Sequence, residues 1–358
     1  MKIIHPRPNP IIAAMYTLRD MNVDVVVVHG PAGCGFMASR SLEQAGVRIV
    51  TTALSETDLI FGGSEELIKT LKEVDERFSP ETVAVIGTCA SMIIGEDMES
   101  SIKRAGLNAN VFPVEVHGSM PNNTEGAIKA LEGGRDAGLI PAEETERQIS
   151  LMKAATEMER VRGLASKSYM KPSVGVTKLN VCKKICDTLS NGGKVAVVMN
   201  AKKELAYRFA DMFLAVDEAR KKLGGETFFA ANLDVDKGLP RIRKYAENIL
   251  SECEENGIVI DAVTGGLDEY ALVGDDLKAE VDRFNPDLTI ITGICHAYPG
   301  IRETDILITD QPRQLTNYIN SGYPNSVGEI SSHSLVMGTD VIIPLETGDT
   351  LRELVRES

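Results

Sequence analysis

The sequence predicts an α/β protein made of two Rossmann-like parallel-sheet domains. Short apolar runs alternate with amphipathic stretches, and the series breaks once and then restarts. The first series places strands at 23–28, 48–54, 82–87 and 109–116, with helices at 37–45, 64–77 and 96–105 between them. Ser64 and Ser79 sit where a helix cap and a proline-marked stop belong. Runs such as VDVVVV are apolar apart from Asp24 near the start, as strands covered on both faces should be. A polar stretch rich in alanine and glutamate, 142–168, reads as a helix leading out, and KPSVG as a linker. Strands are expected again at 194–199, 226–232, 258–264, 287–294, 305–309 and 340–345. The expected domains are therefore 1–170 and 171–358.

Composition narrows the function classes. The chain has 358 residues, 43% hydrophobic and 25% charged, as in a globular protein with ample cores. Its net charge of −14, from 38 basic and 52 acidic residues, argues against nucleic acid as a partner. No apolar run approaches the roughly 18 residues of a membrane span, and residues 1–10 carry prolines where a signal peptide needs an apolar core. A cytoplasmic chain is expected, with its six cysteines serving as thiols or ligands and not as disulfides.

Those cysteines fall into two groups. Cys182 and Cys186 lie on an apolar stripe with Leu179, Ile185 and Leu189, and Cys253 follows Ile249 and Leu250 on another amphipathic segment. All three read as core thiols. Cys34, Cys89 and Cys295 instead stand just past strand ends, in GPAGCG, IGTCAS and TGICHA. Ligands of open parallel sheets bind at that edge. Cys34 and Cys89 each precede a helix, whose first amides favour a thiolate. A strand order of 2-1-3-4 would make these two neighbours. Three uses of such a pair compete: a catalytic thiol with His29 or His117 as base, a disulfide switch, and shared metal ligation. A 4Fe–4S cluster needs four thiolates, and two copies about a two-fold axis would supply them from one pair per chain.

HGPAGCGF, ALSETDLIFGGSEEL and GTCASMIIGEDM, in this order over residues 29–98, resemble the nitrogenase component 1 superfamily. The resemblance implies that Cys34 and Cys89 ligate an iron–sulfur cluster at a subunit interface, here a 4Fe–4S cluster shared across a homodimer, with Gly33 and Gly35 flanking the ligand. Nitrogenase subunits carry a further cluster cysteine ahead of this loop. Residues 1–33 contain none, and the domain that holds the iron–molybdenum cofactor has no counterpart. Within the superfamily the chain is most similar to the short branch that acts on nickel tetrapyrroles. That implies an ATP-driven reduction and γ-lactam closure of a nickel sirohydrochlorin diamide, on the route to coenzyme F-430. Electrons would come from a separate iron–sulfur ATPase similar to nitrogenase reductase. The alternatives are a scaffold or electron-relay protein for metal-cofactor assembly, and a reductase of another tetrapyrrole.

Independently, no GxxxxGK[ST] loop occurs, since NGGKV lacks both the first glycine and the hydroxyl, so ATP hydrolysis is assigned to a partner. The loop 30–35 also fails the G-x-G-x-x-G spacing of a nicotinamide enzyme. His117, His296 and His333, at strand ends, are candidate proton donors or nickel ligands. Arg40 is the candidate contact for substrate carboxylates. Glu56 and Asp58 are expected to stabilise their loop, Glu96 and Asp97 to be first-turn acids of a helix, and Gly62 and Gly63 to form a turn.

Overall fold

The computed structural model describes residues 9–162, 176–268, 275–329 and 339–357. The chain divides into two compact units. Among the described residues, the first comprises 9–156 together with Leu239–Arg241, and the second comprises Glu157–Gly238 and those from Ile242 onward.

In the first unit, strands β1 (Val25–His29), β2 (Arg48–Thr51), β3 (Thr82–Gly87) and β4 (Asn110–Val114) form a parallel sheet in the order β2-β1-β3-β4. The register runs Val25↔Arg48, Val25↔Val83 and Thr82↔Asn110. Every residue of β1 is buried, because helices cover both faces of the central strands. On one face Val25, Val27, Val83 and Val85 pack with Leu67, Leu71 and Val74 of the helix Ser64–Phe78 and Met98 of the helix Met98–Ala105. Ser79 closes the longer helix in the left-handed conformation, just ahead of Pro80.

The helix Pro10–Asp20, not anticipated from the sequence, is buried along its whole length. Asn9 caps it by accepting the Ile12 N–H at 2.9 Å, and Pro10 occupies the first helical position, where its missing N–H costs nothing. It lies against the helix Asn123–Asp136 so closely that a Cβ on Gly126 would stand 2.6 Å from the Pro10 carbonyl carbon. Gly126→Ala should therefore cost about 1–3 kcal/mol, the usual range for overpacking, read as a lower midpoint in urea unfolding.

The second unit contains β5 (Lys194–Asn200), β6 (Glu226–Ala231), β7 (Ala262–Val263), β8 (Leu288–Gly293), β9 (Ile306–Thr309) and β10 (Ser326–Gly328). They form one parallel sheet in the order β10-β9-β8-β5-β6-β7. The helices Val176–Ser190, Asp211–Leu223 and Glu346–Glu357 pack together. Two sequence expectations are corrected here. The stretch 340–345 is not a strand, because its amides are taken elsewhere. Ile342 N–H donates to Glu252 Oε2 (2.7 Å), Ile343 N–H to the Tyr207 carbonyl (3.0 Å) and Leu345 N–H to Asp211 Oδ2 (2.7 Å). The edge position falls to β10 instead, and the expected strand at 258–264 contracts to the two residues of β7. The helix expected at 142–168 is observed as Ala142–Arg162; the rest of it and the KPSVG linker lie outside the described residues.

Candidate metal centre

The two cysteines at the first sheet's carboxyl edge owe their positions to the adjacency of β1 and β3, where His29 pairs with Gly87. After β1 the chain makes one tight turn, Ala32–Cys34, closed by the Cys34 N–H donating to the Pro31 carbonyl (3.0 Å), and then enters the helix Phe36–Gln44. After β3, Thr88 caps the short helix Cys89–Ile93 and its hydroxyl donates to the His29 carbonyl at 3.0 Å. Gly30 permits this approach, because a Cβ there would meet Thr88 Cγ2 at 2.7 Å. The two cysteine loops are thus fastened to each other through Thr88.

Cys34 and Cys89 are both partly exposed. Gly118, in the loop after β4, donates its N–H to Cys89 Sγ at 3.0 Å. Burial pushes the Cys34 thiol up from its ordinary value, the neighbouring Cys89 sulfur pushes it further, and a hydrogen bond with Thr88 opposes both. Two thiolates side by side repel, so a bound cation is what would let both ionise. The donor set fits half of an all-cysteine cluster. Among the described residues, no group of three or more histidine, cysteine or acidic side chains is placed to hold a metal. The elements of this edge also carry exposed apolar side chains: Phe36 (76%), Ile60, Phe61 (84%) and Ile93.

The other expected residues distribute as follows. A Cβ on Gly33 would meet nothing within 4 Å, whereas Gly35 lies against Val28. Arg40 is exposed on the helix Phe36–Gln44. His117, early in the loop after β4 and immediately before the glycine that touches Cys89, bonds through Nδ1 to Ser119 Oγ (2.8 Å). His296 belongs to the second unit, where its N–H donates to the Tyr318 hydroxyl at 3.0 Å. His333 lies outside the described residues.

Cys295 stands just past the carboxyl end of β8, as its position in TGICHA predicts, but its thiol faces the interior. It is fully buried, its Sγ donates to the Ile291 carbonyl (3.3 Å), and burial pushes its thiol well up. Cys182 and Cys253 are core thiols, both pushed up to about 12 by burial. Leu179 is exposed, so the apolar stripe on that helix runs through Val181, Cys182, Ile185 and Leu189.

Glu96 differs from expectation as well. Asp97 caps the helix Met98–Ala105 by accepting the Ser100 N–H, while Glu96 turns inward. Its Oε1 accepts the Gly63 N–H at 2.5 Å and its Oε2 stands 3.6 Å from Nε2 of His29, which is wholly buried. Asp58 and Ser55 form a reciprocal cap, which holds the loop as expected for that acid. Burial lowers the His29 pKa from its ordinary value, and Glu96 pulls it part of the way back. A lowered histidine is neutral in the folded state, so its contribution is complete above about pH 6.5 and is lost as pH falls from there toward the lower folded value. Melting temperatures measured from pH 7.5 to 5 should decline more steeply for the native chain than for His29→Asn.

The family profile of nitrogenase component 1 type oxidoreductases matches residues 10–206, more than half of the chain. The chain belongs to the nitrogenase component 1 family. Within this family, a Methanothermobacter thermautotrophicus protein named as component CfbD of the Ni-sirohydrochlorin a,c-diamide reductive cyclase complex is 44% identical over 358 residues, 99% of each chain. The protein of the same name from Methanosarcina acetivorans is 42% identical, covering 100% of this chain and 99% of its own. The iron-molybdenum cofactor biosynthesis protein NifE of Nostoc is 35% identical over 96 residues, 25% of this chain and 20% of that one.

Proposed function

We propose that this chain is the catalytic component of an ATP-dependent reductive cyclase. It would reduce Ni-sirohydrochlorin a,c-diamide and close the γ-lactam ring on the route to coenzyme F-430. The end-to-end likeness to proteins named for that complex carries the reading. Cys34 and Cys89, with the same pair from a second copy, would hold a 4Fe–4S cluster across a homodimer, since four thiolates are needed and an isologous interface repeats one patch. The bound cluster supplies single electrons. The exposed Phe36, Phe61 and Ile93 support a covered rim at this edge.

The chain's own residues bind substrate and deliver protons. Arg40 would meet a carboxylate of the macrocycle, and His117, His296 and His333 are the candidate acids for the protons that reduction consumes. With no phosphate loop in the sequence, a nitrogenase-reductase-like iron–sulfur ATPase would dock transiently and drive electron delivery. No helix among the described residues is long and apolar enough to cross a membrane, and the reaction is assigned to the cytoplasm.

The test is anaerobic turnover of Ni-sirohydrochlorin a,c-diamide, followed by absorbance. Protein carrying about two iron atoms per chain should give product with the reductase and ATP. Failure to bind or convert any nickel tetrapyrrole with the cluster intact would transfer the protein to the scaffold class.

A further inference from the structure

We propose that Glu96 is a positioning residue that holds the two cysteine-bearing loops in place by clamping His29. The inference rests on Cys34 and Cys89 as the metal-binding pair. Glu96 lies seven residues beyond Cys89, and its side chain is 5% exposed. One carboxylate oxygen takes the Gly63 N–H and the other faces His29 Nε2. Gly63 is pressed against the same ring, since a Cβ there would lie 3.1 Å from His29 Cε1. From His29 the connections run to both loops. Its carbonyl accepts from Thr88, the residue before Cys89. Its Nδ1 contacts Thr52 Oγ1 at 3.2 Å, and that oxygen accepts the Gly30 N–H at 3.0 Å, at the root of the loop that carries Cys34.

Proton bookkeeping selects one tautomer. With the proton on Nδ1, a bare Nε2 would face a carboxylate, acceptor against acceptor, on a wholly buried ring. With the proton on Nε2, the ring faces Glu96 Oε2 across 3.6 Å with complementary charge, too far for a full hydrogen bond, while the Thr52 hydroxyl can donate to Nδ1 and the Gly30 N–H donates to Thr52. A carboxylate that orients a histidine, which in turn orients the ligand loops, is the arrangement by which outer groups hold inner ones. Losing such a group costs metal affinity by roughly tenfold or more.

The experiment uses Glu96→Ala and Glu96→Gln in the full chain. Leu71→Ala, in the core of the same unit, serves as a control for general destabilisation. In metal-free protein, Glu96→Ala should raise the iodoacetamide alkylation rates of Cys34 and Cys89, read site by site by mass spectrometry. Reconstituted protein should lose iron to a chelator roughly tenfold faster. Glu96→Gln can still accept from Gly63 while its amide donates to Nε2. It should retain near-native rates but invert the His29 tautomer, seen as an exchange of the two ring-nitrogen shifts in 15N NMR. Equal thiol rates in Glu96→Ala and Leu71→Ala would overturn the proposal, and so would an unchanged tautomer in Glu96→Gln, which stands even if the alanine variant fails to fold. Iron binding that is indifferent to Cys34→Ala would instead overturn the cluster reading, leaving the thiol and NMR readouts to judge Glu96 alone.

Discussion

Cys34→Ala and Cys89→Ala are each expected to abolish iron binding and turnover, while Cys182→Ala keeps both. The contrast follows from placement. Cys34 and Cys89 are partly exposed, neighbouring thiols on loops fastened by Thr88, whereas Cys182 is buried with its Sγ donating to the Thr347 carbonyl at 3.4 Å. Removing one ligand of a shared cluster removes two of four from the pair, so the loss should be complete and not graded. Losing the Cys182 sulfur should cost about 1 kcal/mol, as an ordinary point change does. Iron analysis and sedimentation on the same samples check both parts, since a pair joined through metal should also dissociate more readily without it. A monomer that retains a full cluster would overturn the shared arrangement.

The second large effect is all-or-none dependence on another protein. The chain alone should hydrolyse no ATP and reduce no tetrapyrrole. Adding the iron–sulfur ATPase without nucleotide should leave the rate at zero, and only the two together should restore it. A loop that cradles phosphates needs glycines for close backbone approach, a lysine for the charge and a hydroxyl for magnesium, and no stretch of this sequence combines them. Phosphate release measured with each component omitted in turn checks this. Substantial hydrolysis by this chain alone would contradict the division of labour.

Periodicity made much of the fold legible. Valine runs named the central strands, and the order β2-β1-β3-β4 matches the arrangement that would bring Cys34 beside Cys89. The failures have physical causes. Pro10–Asp20 is buried all round, so it shows no polar face for a helical pattern to reveal, and Pro10, which in the sequence counts only against a signal peptide, is a helix start. The segment 340–345 is apolar enough for a strand, but its amides go to Glu252, Tyr207 and Asp211, partners 90 or more residues away in sequence. Glu96 and Asp97 look alike as neighbouring acids before a helix. Only the tertiary position of His29, more than sixty residues earlier, turns one inward and leaves the other as a cap.

The buried helix Pro10–Asp20 also bears on how the protein is made. Its partner, Asn123–Asp136, begins about a hundred residues later. At roughly 5–20 residues per second, the ribosome emits the apolar helix on the order of ten seconds before its partner exists. During that interval the face of the helix that Asn123–Asp136 covers in the folded chain lacks its native partner. The nascent chain is then a natural client for a holding chaperone. Expression at low temperature or with added chaperone should raise soluble yield, and a fusion that buries this segment early should do the same.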